Sequence, residues 1–113
     1  MDKLVHYREI IKKILTDYAE LIERQPTPGV DTELVFDEGH DQYMLLSVGW
    51  RERKRVRGTT VYLRLRHGKI WVEEDWLEDG LVKDLLAAGI PQQDIVIGFH
   101  HPEMRPLTEF ATA

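Results

Sequence analysis

The chain has no cysteine, so disulfide staples, thiol nucleophiles and thiolate metal sites are excluded from its 113 residues. It has a single serine, Ser47, set within an apolar strand. A serine–histidine–acid hydrolase is therefore not indicated, and no glycine-rich phosphate loop occurs. No apolar run approaches the roughly 18 residues needed to span a bilayer. The N-terminal MDKLVHYREIIKKIL mixes charges into its apolar positions, which reads as an amphipathic helix rather than a secretion signal. A cytoplasmic protein without membrane contact is the resulting expectation.

What is present is an ordinary globular composition, 42% hydrophobic and 31% charged, enough for one core and too little for two. A single domain over residues 1–113 follows as the expectation. Net charge is −5 but unevenly placed. Arg51 to Lys69 holds eight basic residues and one acidic, whereas the remainder holds seven basic and nineteen acidic. Such segregation points at a partner or at self-association.

Along the first segment, Asp2 to about Arg24, Leu4, Tyr7, Ile11, Ile14, Tyr18 and Leu21 recur at helical steps. Pro26 and Pro28-Gly29 end that helix. From Asp31 the period becomes two. Strands are expected from Asp31 to Asp37, Gln42 to Trp50, Gly58 to Arg66 and Ile70 to Glu73, with a hairpin at His67-Gly68. Asp79 is placed to cap a second helix, Gly80 to Ala88, with Gly89 as the left-handed exit. Asp94 to Phe99 reads as a short last strand, followed by a dense polar-aromatic tail. The predicted fold is α+β: N-terminal helix, four-stranded antiparallel meander, second helix, short C-terminal strand and ordered tail.

Three groups invite a chemical reading. Arg51, Arg53, Lys54, Arg55 and Arg57 sit at the connection between the second and third strands, with Arg64 and Arg66 further along. They suit phosphate contact, an acidic protein partner, or a solvated loop that keeps a sheet edge from mispairing. The overall negative charge disfavours nucleic acid among these. Glu73, Glu74, Asp75, Glu78 and Asp79 form an acidic cluster. Strand alternation sends Glu73 and Glu74 to opposite faces, so helix capping outweighs a metal site. His100 and His101 diverge in an extended chain, and structural roles outweigh metal ligation there. No cofactor and no catalytic set is expected. Trp71, Trp76, Phe99, His100, His101, Arg105 and Phe110 form a candidate contact surface, and self-association through the open sheet face or the tail is expected, a dimer being the simplest form.

The chain resembles the XisI family, the fdxN element excision controlling factors of cyanobacteria. The resemblance runs from LVHYREIIKKILTDYAEL through VFDEGHDQYMLLSVGWRERKRVRG. It is strongest in GKIWVEEDWLEDG and AAGIPQQDIVIGFHHPEMRPLTEFATA, where Asp75, Glu78, Gly80, Gly89, Phe99, Pro102, Arg105, Thr108, Glu109, Phe110 and Ala111 fall on the family pattern. The family often has glutamine at the position of Glu73 and threonine at that of Leu77. The resemblance implies a role in programmed DNA excision during heterocyst differentiation, beside the companion XisH and the site-specific recombinase XisF. It further implies a partner subunit for an XisH-like nuclease or a recombinase, in line with the absence of a catalytic set among the residues. Direct DNA contact through Arg51 to Arg57 is the alternative.

Overall fold

The computed structural model describes residues 2–113. Helix α1 spans Lys3–Glu23, and the Asp2 side chain caps it by accepting from the Leu4 amide at 3.0 Å. Its buried row is Tyr7, Ile11, Leu15 and Ala19, at steps of four. Leu21, placed by its spacing on the apolar stripe, is instead exposed, because that row leans away from it at the last turn. Among the described residues no helix is long and apolar enough to cross a membrane.

Strands β1 (Val30–Asp37), β2 (Gln42–Arg51), β3 (Lys54–Arg66) and β4 (Lys69–Asp75) form the antiparallel meander. A fifth strand, β5 (Ile95–Ile97), joins the same sheet parallel to β4 after the crossover through α2 (Val82–Ala87). Helix α1 covers one face. Beneath it Tyr43, Leu45, Val61, Leu63, Ile70 and Val72 are completely buried together with Ile11 and Leu15. Leu81, Leu85, Ile90 and Ile95 extend this core under α2.

Three local expectations are corrected. The basic segment is not a loop: β2 and β3 pair as far as Arg51 and Lys54, and Glu52 at φ +59° makes the turn. Each added pair satisfies backbone groups that a loop would leave to water. Second, Asp79 does not cap α2. Asp75 accepts from the amides of Leu77 (3.2 Å) and Leu81 (2.8 Å), and Gly80 at φ +72° brings the chain back to it. The helix is accordingly shorter, Val82–Ala87, and Gly89 exits at φ +94°. Third, the register of β3 on β4 shifts between Tyr62 and Leu63, which makes Glu73 an extra residue. Glu73 and Glu74 therefore share the outer face instead of alternating. The last strand is also shorter than expected, because the chain turns at Gly98 toward the tail.

Candidate functional site

The face of the sheet not covered by α1 is where the segregated charges and aromatics meet. Its β4–β5 end is roofed by the tail. Ala111 bridges Val96 in parallel and donates its amide to the Ile95 carbonyl at 2.9 Å. Trp71, Val96 and Ala111 then form a small apolar cluster separate from the main core.

Trp71 organises this end. Its indole N–H donates to the Arg66 carbonyl at 3.1 Å. The guanidinium groups of Arg66 and Arg105 lie 5.6 and 5.2 Å from its ring centre, within cation–π range. Arg105 also donates from Nε to the His100 carbonyl (3.1 Å) and from Nη2 to the Gly98 carbonyl (3.2 Å), which ties the tail to the sheet. Arg64 pairs with Glu73 beside it, both carboxylate and guanidinium being mostly buried. A Cβ on Gly98 would stand 2.2 Å from the Glu73 Oε1, so a larger residue there would displace the carboxylate that pairs with Arg64. Arg64 Nε and His100 Nδ1 are buried without a hydrogen-bond partner among the described residues. This end thus holds an ion pair, a stacked indole and two orphaned nitrogens under a strap of chain. No group of three His, Asp or Glu side chains converges there or elsewhere among the described residues.

The tail's remaining aromatics divide by direction. Phe110 packs against the main core. Phe99 is 54% exposed and meets the His100 ring edge-on at 4.9 Å. His101 is exposed, with Nδ1 accepting from the Glu103 amide at 3.1 Å. Trp76 is 76% exposed, its N–H donating to Glu74 at 3.0 Å. Trp76 and Phe99 line one shallow cavity of about 250 Å³ with Glu73, Glu74 and Asp75. Met104 and Leu107, both exposed, bracket a single 3₁₀ turn whose three-residue period stacks them on one side.

The basic residues are not gathered into one patch. Arg51, Arg53, Lys54, Arg55 and Arg57 are all exposed around the β2–β3 hairpin end. Arg55 stacks on Trp50 at 5.3 Å and donates to the Gly49 carbonyl at 3.4 Å. Arg64 and Arg66 lie at the far end of β3, about 30 Å along the strand from Arg55, and are engaged by Glu73 and Trp71.

A deeper resemblance sits on this geometry. The XisI protein family matches residues 1–112. The chain belongs to the XisI family. The solved fdxN element excision controlling factor XisI from Anabaena variabilis is 48% identical, with a TM-score of 0.86, covering 99% of this chain and 100% of that one. A XisI-like protein from the same organism is 30% identical, with a TM-score of 0.91, covering 97% and 99% respectively. No curated protein matches.

The candidate functional surface that the sequence did not single out is the outer face of β2. Met44, Leu46, Val48 and Trp50 form an apolar row there, opposite Tyr43 and Leu45 in the core. The signal was present: Tyr43 to Val48 is nearly continuous in apolar residues, and an antiparallel strand of that kind is apolar on both faces.

Proposed function

We propose that this XisI-family chain is a non-enzymatic accessory factor that acts by protein–protein contact in programmed excision of a DNA element such as the fdxN element. Its partner is an XisH-like nuclease or a site-specific recombinase. The observation that carries the reading is the tail surface. Phe99, Met104 and Leu107 are held outward by a segment that Arg105 and Ala111 pin to the sheet, and exposed Trp76, just after β4, lines the same shallow cavity as Phe99. Large apolar groups on a fixed backbone lose little entropy on docking, which is how contact surfaces gain affinity.

Co-expression with an XisH-like protein from the same genome, followed by size-exclusion chromatography, tests it. The expected result is co-elution at micromolar concentrations, lost in a Phe99→Ala, Leu107→Asp variant that melts like the parent. Separate elution of the parent proteins counts against the reading.

Direct DNA contact through the hairpin end has its own support, because five exposed cations surround a turn whose one carboxylate is Glu52. Its signature is a gel shift at low salt that weakens steeply as salt rises and is lost in Arg53→Glu, Arg55→Glu. An absence of retardation at low salt removes it.

A further inference from the structure

The outer face of β1–β3 carries three parallel rows of unlike character. The β1 row is acidic: Asp31, Glu33 and Asp37, with Val35 among them. The β2 row is Met44, Leu46, Val48 and Trp50. The β3 row is Arg55, Arg57, Thr59, Tyr62 and Arg64. The ladder sets these rows level with one another. Asp31 lies beside Val48 and Val48 beside Arg57; Glu33, Leu46 and Thr59 form the next rung, then Val35, Met44 and Tyr62. Asp31, Glu33, Arg55 and Arg57 make no ion pair within the described chain. The tail roofs only the β4–β5 end, and α1 lies on the other face. An apolar strip flanked by opposite charges is left facing water.

We propose that this face is the interface of a two-fold symmetric dimer of the chain, with the axis running along β2. The charge pattern selects both occupant and axis. When two copies of a sheet meet face to face, a two-fold axis along the strands swaps left and right and keeps height. The acidic β1 row of each copy then meets the basic β3 row of the other, Asp31 across from Arg57, while Leu46 meets Leu46 at the centre. An axis across the strands would instead lay β1 on β1 and set like charges together, which costs several kcal/mol. Isologous contact requires such self-complementarity, and two sheets packed with strands about 30° apart tolerate it. The β3 row extends about 30 Å and the β1 and β2 rows about 20 Å, across a width of about 14 Å, roughly 300–400 Å² of flat area per copy before side-chain relief. That is well below the roughly 800 Å² per partner of stable complexes, so a weak dimer, with a dissociation constant in the micromolar range or above, is expected.

Sedimentation velocity of the full chain across micromolar to submillimolar concentration reads the equilibrium directly. Arg57→Glu alone and Asp31→Arg alone are each expected to weaken self-association about tenfold or more, since each places two like-charged pairs in the interface. An equimolar mixture of the two variants is expected to recover association, because only the mixed dimer restores both opposite pairs. Leu46→Asp is expected to leave a monomer. A parent chain that stays monomeric throughout overturns the proposal. So does a dimer that tolerates both charge reversals, which would place the contact on an edge or on the tail. Loss of partner co-elution would not bear on it, because Phe99 and Leu107 lie outside the three rows.

Discussion

Asp41 shows how one residue ties helix to sheet. It holds φ +52° in the β1–β2 turn and accepts from Arg8 Nε at 2.7 Å, Arg8 Nη2 at 3.0 Å and Tyr43 Oη at 2.9 Å. The Arg8 bonds hold its carboxyl below the usual range against the opposing effect of partial burial, with Tyr43 assisting. The folded form therefore binds its proton less readily than the unfolded chain. The stability this contributes is present above pH about 4 and is lost as pH falls through the lower folded value. Asp41→Asn is expected to cost about 1–3 kcal/mol at neutral pH and to flatten the acid limb of a melting-temperature profile. Tyr7 works at the other extreme. Burial first, and then its bond to Asp94, push the phenol up to about 12. Stability held by that phenol is complete below pH about 10 and is lost as pH rises toward 12, so Tyr7→Phe should shrink the alkaline fall in melting temperature. Asp41 was legible as a turn residue from Glu38-Gly39-His40-Asp41. Its partner Arg8 was not, because the pair is separated by 33 positions and only the docking of α1 joins them.

At the scale of elements, the β1–β2 start is fixed by two glycines facing each other. A Cβ on Gly49 would lie 2.0 Å from the Gly29 carbonyl oxygen and 2.8 Å from Val30 Cα, and one on Gly29, at φ +82°, 2.5 Å from the Trp50 carbonyl oxygen. Both obstacles are backbone and cannot rotate away. Gly49→Ala is expected to destabilise by roughly 2–4 kcal/mol, read as a lower urea midpoint at unchanged slope. Gly58→Ala, with nothing within 4 Å of its added Cβ, is the control and should be near neutral or stabilising. Element types were readable from period: four for α1, two for β1 to β4. Ends were not. Hairpin pairing outlasts the apolar pattern in the Arg51–Lys54 region, and the Glu73 bulge reverses a parity that strict alternation assigns.

For the whole molecule, the tail is a structural strap as well as the proposed contact surface. Cutting the chain after His101 would remove Arg105 and Ala111 and bare Trp71 and Val96, now 8% and 0% exposed. Burying an indole and a valine is worth a few kcal/mol, about 1.5–3 for each large side chain. The truncated chain should therefore melt several degrees lower and show a red-shifted tryptophan emission. A truncation that melts like the parent would mean the strap carries no such weight. The crowded tail aromatics were visible in the sequence as a group. Their division into inward Trp71 and Phe110 and outward Phe99 and Trp76 was not, because it depends on where Val96 and Ala111 meet.

The sequence by itself determined the α+β class, the order of elements and membership of the XisI family, because periodicity and motif spacing are local properties that survive without coordinates. Only the tertiary structure decided which charges are free. Arg64 and Arg66 lie in the same basic segment as Arg57, yet Glu73 and Trp71 take up the first two and leave the third exposed. It also decided that β1 acids, β2 apolars and β3 arginines lie level on one uncovered face. Pairing register is a long-range property, fixed by bulges, turns and the helix that claims the opposite side.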